Sequence, residues 1–454
     1  MAQPSVKTFR LKKGSDVRSR GGHPWIYSNE IQGSPKGEPN AHGAIESPVA
    51  AGEIVKLTDA GGKFQAWGYA NPHSLIFFRV LSRQERFDPV SGLRDLLHAR
   101  LSEAWRIRES LGLATGSFRW VFGEGDFLPG LILDRYLGPK DESVVVLQAH
   151  TVGIDRLIPL LAEIIPSVAG KDVALVIRND LSVRKLEGVP VEPVKIHSNP
   201  RALDLARFQI LVRGAGGSAV RDSATFNVDL IGGQKTGFFL DQSENVSQVI
   251  HALGPRYLGT KKIRILDLCT YVGQWSTKLA LAFRARGIAV ETVLVDASDS
   301  ALALAETNAL RAGAEVETLK ADVLQGFRGL EAGSFDLVIS DPPALIKGRK
   351  DLPQGAAAYL KLNTEAFRLV RSGGVVVACS CSQLLEEADF FRGLAKAAFR
   401  NQKAVRVIAR GTQAIDHPLR LEFPEGKYLK MIVGLVTDAD TAEAGKENDD
   451  EKDN

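Results

Sequence analysis

The chain has 454 residues, 44% of them apolar and 24% charged, which is typical of a globular protein with two or three domains. Its three cysteines exclude a disulfide framework, and no apolar run approaches the roughly 20 residues of a membrane span, so we expect a cytoplasmic protein. The net charge of +3 is unevenly distributed, since residues 438–454 hold eight acids and two lysines whereas residues 1–36 hold seven Lys/Arg and two acids. We expect the acidic segment to be disordered, and the basic one to be either a solvated face or a phosphate-binding surface.

The first part of the chain, residues 1–90, alternates short apolar runs with turn residues. These runs are "GEIVKLTD", "AGGKFQAWGYAN" and "SLIFFRVLS". The pattern predicts short strands in a small barrel or sandwich.

A helical period begins at about residue 92, in "LRDLLHARLSEAWRIRESLGL". Strand-like runs follow, in "LPGLILDRYLG", "SVVVLQAH" and "DVALVIRND", with a helix predicted at about 153–165. Residues 170–230 again favour strands. Together these patterns predict a small central α/β domain.

From about residue 262, strands alternate regularly with helices of 12–16 residues. The strands are "KIRILDL", "ETVLVD", "EVETLKAD", "SFDLVISDPP" and "GGVVVACS", and the later helices are predicted at about 355–371 and 384–400. This alternation predicts a parallel, doubly wound sheet. The last two strands, "AVRVIARG" and "KYLKMIVGLV", have no helix between them and predict an antiparallel close to that sheet.

Each of the first four predicted strands of this sheet ends in aspartate: Asp267, Asp296, Asp322 and Asp341. Each aspartate alone is better explained as a helix cap or a turn residue. Ligands of open parallel sheets bind beyond the carboxyl ends of the strands, so four acids at one rim indicate a binding site.

The turn after the first strand, "LCTYVGQW", has one glycine and lacks the G-x-G-x-x-G fingerprint of dinucleotide sites. A nicotinamide dehydrogenase is therefore disfavoured, and an acid-lined rim would repel phosphates. A carboxylate at the end of the second strand suits a ribose diol. We predict S-adenosylmethionine as the cofactor, because it carries a ribose and cationic groups but no phosphate.

Two further motifs stand at this rim. Residues 375–384, "VVVACSCSQL", place Cys379 and Cys381 two apart near a strand end, on the same side of the strand. Cysteines in such a strand are usually core residues, but at this rim one of them could be a nucleophile. Because both side chains point to the same side of the strand, alternation does not indicate which cysteine has which role. The "DPP" turn that begins at Asp341 predicts a rigid lip of the kind that methyltransferases acting on planar nitrogens or bases place beside the target, or a plain rigid loop.

Over residues 8–436 the chain resembles the ribosomal RNA large-subunit methyltransferase I family, which methylates cytosine C5 in 23S rRNA. The segments that carry the resemblance are "LKKGSDVRSRGGHPWIYSNEI", "GYANPHSLIFFRVLS", "GDFLPGLILDRYLG", "VRKLEGV", "GGQKTGFFLDQ", "DPPALIKGRKDL", "ACSCS" and "DHPLRLEFPEGKYLK". The resemblance implies a PUA-like RNA-binding domain over 1–90, a central α/β domain over 91–225, a methyltransferase domain over 226–437 entered through a hairpin at 232–242, and an acidic tail over 438–454.

The resemblance also assigns roles to individual residues. Cofactor contacts fall on Asp267, Tyr271, Gly273, Asp296, Asp322 and Asp341. Cys381 is implied as the nucleophile that attacks cytosine C6, and Cys379 as a packing residue. The sequence does not identify the acceptor of the C5 proton; our hypothesis is Asp341 or a water molecule. A helix starting directly after "CSCSQ" would favour the thiolate.

For RNA, we expect phosphate contacts from Lys12, Lys13, Arg18 and Arg20. Phe238 and Phe239, with Tyr271 or Trp275, are candidates for base stacking, although core packing is the better-supported role of each ring. His23 and His417 are interpreted as turn residues, and the spacing of cysteines and histidines predicts no metal site.

Two alternatives stay open at this point. The first is a methyltransferase that modifies a nitrogen of guanine or cytosine in rRNA without covalent catalysis, with Cys381 structural. The second is a non-catalytic RNA-binding ribosome assembly factor. The expected partner is 23S rRNA or a large-subunit particle and not a membrane; a homodimer is neither required nor excluded by the sequence.

Overall fold

The computed structural model describes residues 6–33, 38–39, 45–46, 48–213, 223–325 and 329–439. The chain divides into two compact units. The first unit comprises the chain up to Leu211 together with Asp229–Leu240 and Ile415–Gly426, and the second comprises Val212–Val228, Asp241–Ala414 and the chain from Lys427 onward. Among the described residues, no helix is long and apolar enough to cross a membrane. The predicted tail lies outside the described residues except for Asp438 and Ala439.

The N-terminal part of the first unit is built on a five-stranded sheet. Its elements are β1 (Thr8–Arg10), α1 (Asp16–Arg20), β2 (Trp25–Ile26), β3 (Glu38–Pro39), β4 (Ile45–Glu46), β5 (Glu53–Thr58), β6 (Phe64–Ala70) and β7 (Phe78–Ser82). The sheet has the order β1-β5-β6-β7-β2. Gly68 on β6 permits close pairing, because a Cβ atom there would stand 2.1 Å from the carbonyl oxygen of Arg79. The predicted small β domain is present.

The rest of the first unit is a second five-stranded sheet with two helices. Its elements are α2 (Leu93–Ser110), β8 (Phe118–Phe122), β9 (Leu131–Leu137), β10 (Ser143–Ala149), α3 (Val152–Ala169), β11 (Ala174–Ile177), β12 (Lys195–Ser198) and β13 (Phe208–Val212). The strand order is β12-β11-β10-β9-β8. Both helices bury apolar faces in a core that includes Trp120 and Ile154. Thr151 caps α3 by accepting a hydrogen bond from the backbone N–H of Ile154.

The segment Ile415–Gly426 belongs to this first unit although it lies late in the chain. Asp416 anchors it: its carboxylate accepts from the backbone N–H of Arg119 at 2.7 Å, and its carbonyl oxygen accepts from Arg108 at 2.6 Å. His417 bonds through Nδ1 to Asp416 at 2.6 Å and is buried.

The second unit contains the regular alternation of strands and helices. Its elements are β14 (Ala224–Val228), α4 (Ser243–Leu253), β15 (Lys262–Leu268), α5 (Gln274–Arg284), β16 (Ala289–Asp296), α6 (Asp299–Arg311), β17 (Glu315–Lys320), β18 (Phe335–Ser340), α7 (Leu352–Leu369), β19 (Val370–Ser380), α8 (Glu387–Phe399), β20 (Lys403–Gly411) and β21 (Lys430–Asp438). Its main sheet has seven strands in the order β17-β16-β15-β18-β19-β21-β20.

The parallel sheet with an antiparallel close is confirmed. Strands β15 to β19 pair in parallel, whereas β21 runs antiparallel to both β19 and β20. The order reverses between β15 and β18, and in open α/β sheets ligands bind beyond the carboxyl ends of the strands at such a switch point. Apolar cores cover both faces of the sheet, which explains the continuous apolar runs in its central strands.

Two local expectations were wrong. Helix α8 begins at Glu387 rather than at 384, six residues after Cys381, so a helix N-terminus does not directly follow the cysteine. Residues 232–242 are turns that end in a 3-10 helix, Leu240–Gln242, rather than a hairpin. In both places the chain forms turns where we expected regular elements.

Candidate active site

The loop that follows β15 has an unusual backbone. Cys269, Tyr271 and Gly273 all have positive φ angles, of 62°, 50° and 76°. Non-glycine residues rarely adopt this conformation, and it persists only where surrounding contacts enforce it. The backbone N–H of Thr270 donates to the carbonyl oxygen of Val295 at 3.0 Å, which ties the loop to β16. The loop is therefore held in a fixed shape at the switch point.

Asp267, near the end of β15, is 0% exposed. Its Oδ2 accepts hydrogen bonds from Thr270 Oγ1 at 2.9 Å and from Ser276 Oγ at 2.7 Å. Its Oδ1 has no hydrogen-bond partner among the described residues. Burial raises the pKa of Asp267 to about 6, and the nearby Asp341 carboxylate acts in the same direction. A buried acceptor without a donor is costly, and a bound donor or cation would relieve that cost.

Asp296 and Asp322 each support the local backbone. Asp296 ends β16, and its two oxygens accept from the backbone N–H groups of Tyr271 and Ser298, both at 2.9 Å. Asp322 Oδ1 accepts from the backbone N–H of Leu324 at 2.9 Å. Asp296 and Asp322 thus act as turn residues, as expected for each aspartate taken alone. Each carboxylate oxygen also keeps a further lone pair that can accept a hydrogen bond from a ligand.

Cys269 marks the place where the four rim aspartates converge, and sequence reasoning missed it. Burial first, and then the rim carboxylates Asp296, Asp341, Asp267 and Asp322, raise the pKa of its thiol. All four acids therefore act on this one thiol. The signal available in the sequence was only its position, two residues after Asp267.

Asp341, directly after β18, is held by donors from two elements. Gln242 Nε2 donates to both of its oxygens, at 2.9 and 3.0 Å, and Trp275 Nε1 donates to Oδ2 at 2.9 Å. Gln242 is itself oriented by Asn245, whose Nδ2 donates to Gln242 Oε1 at 2.6 Å. These donors hold the carboxylate in a fixed orientation.

Cys379, on β19, and Cys381, the first residue after this strand, lie in different environments. Cys379 is 0% exposed, and burial followed by the Asp341 carboxylate raises the pKa of its thiol. Cys381 is partly exposed, and its Sγ donates to the carbonyl oxygen of Pro342 at 3.8 Å. The "DPP" and "SCS" motifs are therefore in contact. Ser382 adds a second link, since its Oγ accepts from the backbone N–H of Ile346 at 3.1 Å.

Lys430 is a buried cation beside this turn that sequence reasoning also missed. It pairs with Ser380 across the strands β19 and β21. Its Nζ donates to the carbonyl oxygens of Ser382 at 2.7 Å and Leu385 at 2.8 Å. Burial lowers the pKa of Lys430, and a negative charge on Cys381 opposes that shift. The ammonium group thus both shapes the turn after Cys381 and favours an anion there.

The candidate aromatic residues are more buried than a free stacking platform requires. Phe238 is 1% exposed, which favours the packing alternative for this ring. Tyr271 and Trp275 are also buried, whereas Phe239 is partly exposed with Lys235 Nζ 4.2 Å from its ring centroid.

The four basic residues proposed for phosphate contacts all lie on the surface: Lys12, Lys13, Arg18 and Arg20. Arg18 pairs with Glu30 and Arg20 with Asp16, both within the same unit. His23 also lies in the first unit, where its Nε2 atom forms hydrogen bonds with the Arg18 guanidinium and the Glu425 carboxylate. No group of three or more potential metal ligands is found among the described residues.

The residues at the rim fit the predicted cofactor. Four carboxylates at this rim act on the Cys269 thiol, and one of them has a buried oxygen without a donor among the described residues. Such a donor set suits a cationic ligand with hydroxyl groups and disfavours a phosphate.

Comparison with known proteins identifies the family. A PUA-like domain model matches residues 9–83, and a methyltransferase domain model matches residues 259–423. The Ribosomal RNA large subunit methyltransferase I of Tolumonas auensis is 31% identical over 437 residues, which cover 94% of this chain and 98% of the relative. The protein of the same name from Alteromonas mediterranea is 30% identical, with the same coverage. The chain belongs to this family.

Solved structures agree with the fold. A putative SAM-dependent methyltransferase from Streptococcus mutans is 15% identical, covers 95% of this chain and 100% of its own, and superposes with a TM-score of 0.69. A putative methyltransferase complexed with SAH has a TM-score of 0.71 at 15% identity, with the same coverage. The predicted fold class, the PUA-like and methyltransferase domains and the S-adenosylmethionine cofactor are thereby confirmed. The roles of individual site residues and the boundaries at 90, 225 and 437 stay predictions.

Proposed function

We propose that this family member is an S-adenosylmethionine-dependent rRNA methyltransferase that forms 5-methylcytosine in 23S rRNA through a covalent adduct with Cys381. The observation that carries the covalent step is the contact between the Cys381 thiol and the carbonyl oxygen of Pro342. It sets this partly exposed thiol, on the residue that follows β19, against the rim loop that begins with Asp341.

Cytosine C5 is a weak nucleophile, and a covalent step overcomes this. The Cys381 thiolate adds to C6, a C–S bond forms, and the electron pair of the C5–C6 double bond becomes available at C5. When bound, S-adenosylmethionine would supply the methyl group that C5 takes, with its sulfonium S–CH3 bond broken and S-adenosylhomocysteine leaving. Loss of the C5 proton to a base then restores the double bond as the C–S bond breaks and the thiolate leaves.

Lys430 is the residue that favours the reactive thiolate in this proposal. The helix expected to do so begins only at Glu387, whereas the Lys430 ammonium is buried against the turn that carries Cys381. A nearby cation stabilises a thiolate, and a cysteine nucleophile must be ionised to react. Cys379 cannot serve in its place, because burial and the Asp341 carboxylate both disfavour its ionised form.

Asp341 is proposed as the acceptor of the C5 proton, directly or through a water molecule. Its carboxylate is oriented by Gln242 and Trp275, and Pro342 next to it contacts Cys381. Base and nucleophile therefore stand on adjoining loops. This placement suits a reaction in which the nucleophile attacks C6 and the base removes the proton from C5 of the same ring. Asp267, Asp296 and Asp322 are proposed to hold the cofactor.

RNA is the proposed substrate because the relatives are named for ribosomal RNA and the N-terminal segment matches a PUA-like domain. Lys12, Lys13, Arg18 and Arg20 would neutralise phosphates and position the strand. A cytoplasmic location is part of the same proposal, because an rRNA substrate would be encountered there.

The modified base tests the proposal. Total 23S rRNA from cells with and without the protein is digested and its 5-methylcytidine mapped by mass spectrometry. We expect one 5-methylcytidine to disappear when the protein is absent. Loss of an N-methylated guanine or cytosine instead would show the non-covalent alternative, and unchanged methylation would favour an assembly factor.

A further inference from the structure

Phe127 is an exposed aromatic residue in a strained turn of the first unit. It follows the 3-10 helix Gly123–Asp126 and has φ 58° and ψ 22°, the left-handed conformation that a non-glycine residue seldom adopts. Its side chain is 48% exposed. Two backbone hydrogen bonds hold the turn: Phe127 N–H donates to Glu124 O at 3.2 Å, and Leu128 N–H donates to Gly123 O at 2.9 Å. The ring is thus presented by a defined turn rather than by a loose loop.

Two guanidinium groups frame this ring. The Cζ atom of Arg420 lies 4.1 Å from the centroid of Phe127, and that of Arg100 lies 5.9 Å from it. Arg100 also donates to the carbonyl oxygen of Phe127. Glu422 orients Arg420, accepting from its Nε at 2.8 Å. Arginine stacked on an aromatic ring is a planar, cationic surface.

A third arginine connects this surface to the N-terminal basic segment. Arg83 donates to the carbonyl oxygen of His23 at 2.9 Å and to Ser19 Oγ at 3.4 Å. Arg420 donates to the carbonyl oxygen of Gly22 at 3.0 Å. The contacts therefore run without a break from α1, which carries Arg18 and Arg20, to Phe127.

The charge of Arg420 repels both Arg83 and Arg100. Within the part of the chain that the structure describes, Arg83 and Arg100 form no ion pair with an acid. Burial and then the charge of Arg420 lower the pKa of Arg83, and the same two causes lower the pKa of Arg100 to about 10. Glu422 and Glu103 offset this only in part. A bound anion would relieve the repulsion.

We propose that Phe127, Arg83, Arg100 and Arg420, here called the Phe127 platform, bind single-stranded RNA outside the methyl-transfer site. A base stacks on the phenyl ring and on the Arg420 plane, while Arg83 and Arg100 contact the adjoining phosphates. The platform would extend the path of the bound RNA strand beyond Lys12, Lys13 and α1. The inference rests on RNA as the substrate in the proposed function, but not on the chemistry at Cys381.

The planar stack distinguishes this surface from a plain basic patch. Guanidinium groups that only contact phosphates have no need of an exposed ring, and stacking on an aromatic ring contributes affinity to every base irrespective of sequence. The platform thus accounts for affinity, whereas the choice of nucleotide is left to the methyltransferase unit.

Binding of a fluorescent 20-nucleotide oligouridine to the full chain tests the platform by anisotropy. Phe127→Ala should weaken binding about fivefold or more, the loss expected for one stacked base. Phe127→Trp should restore it, since tryptophan keeps a stacking face. Arg83→Gln and Arg100→Gln should each reduce the slope of log affinity against log salt by about one. Phe127→Ala should leave that slope unchanged. The matched control is Phe399→Ala, another exposed phenylalanine, on α8 of the second unit.

A second readout needs no substitution. Ultraviolet cross-linking of the unaltered protein to the oligouridine, followed by peptide mapping, should place a cross-link on Phe127. The inference is overturned if Phe127→Ala binds as tightly as the unaltered protein or as tightly as Phe399→Ala, or if no cross-link forms there. Neither readout involves methyl transfer, so a failure of the cytosine-C5 proposal would leave them unchanged, whereas loss of all RNA binding in the unaltered protein would refute both.

Discussion

The Cys381 thiol donates to the carbonyl oxygen of Pro342 across 3.8 Å, joining residues 39 positions apart in the chain. This contact brings a strand-end cysteine to the loop that carries Asp341. It also distinguishes Cys381 from Cys379, which lies two residues earlier, on β19, and is fully buried. The expected consequences concern the nucleophile, its neighbouring cation, the buried acid of the rim and the basic surface.

Replacing Cys379 and Cys381 separately by alanine should give different results. Cys381→Ala should lower the methyl-transfer rate at least about 10³-fold, because the covalent route is lost. Cys379→Ala should retain the rate, because that thiol is buried and disfavoured as an anion. Rates are measured with tritiated cofactor and unmodified rRNA, and calorimetry of cofactor binding shows that both variants keep the site. Equal losses in the two variants would contradict the assignment.

Lys430→Met should affect both stability and the pH profile. The carbonyl oxygens of Ser382 and Leu385 lose their shared donor, which should lower the free energy of unfolding by about 1–3 kcal/mol. Without the ammonium group, the rise of the methyl-transfer rate with pH should move to higher pH. Lys430→Arg keeps the charge and should leave the profile nearly in place. A destabilised Lys430→Met variant with an unshifted profile would restrict Lys430 to a structural role.

Asp267 should make the ligand-free protein less stable as pH rises. Its pKa is raised from 3.8 to about 6, so the folded state binds the proton more tightly than the unfolded state does. The stabilisation is complete below about pH 4 and is lost as the pH passes about 6, a change of about 3 kcal/mol. Urea unfolding of the unaltered protein and of Asp267→Asn between pH 4 and 7 measures it. Parallel stability curves for the two proteins would refute the shift.

The N-terminal lysines should act through phosphates. Lys12→Gln combined with Lys13→Gln should weaken binding of an rRNA fragment and lower the slope of log affinity against log salt by about two. Lys171→Gln, an exposed lysine elsewhere in the first unit, is the charge control and should have little effect. If the double variant kept the full slope, these lysines would not contact RNA.

Much of the fold followed from periodicity. The runs at 262–268 and 430–438 are apolar because sheet and helices cover both faces, and they form β15 and β21 as predicted. The start of α8 was missed because Gln383 to Leu385 have no strong helix-breaking residue, and the turn they form is set by Lys430 from another strand.

The site was predicted less completely. Strand ends could be located from sequence, which is why Asp267 and Asp296 were identified. The role of Cys269 depends on a positive φ and on four carboxylates brought together by the sheet, and that of Lys430 on pairing with β19. Both depend on strand order, which no local pattern contains. The burial of Phe238 is likewise a tertiary property.

The most direct test of the central claim is incubation of the protein and S-adenosylmethionine with 23S rRNA transcribed with 5-fluorocytidine. Fluorine at C5 blocks the final proton loss, so a covalent route must stop at the protein–RNA adduct. We predict an adduct that survives denaturing electrophoresis, maps to Cys381 by mass spectrometry and is absent in Cys381→Ala. Absence of the adduct, while normal rRNA is still methylated, would contradict the account.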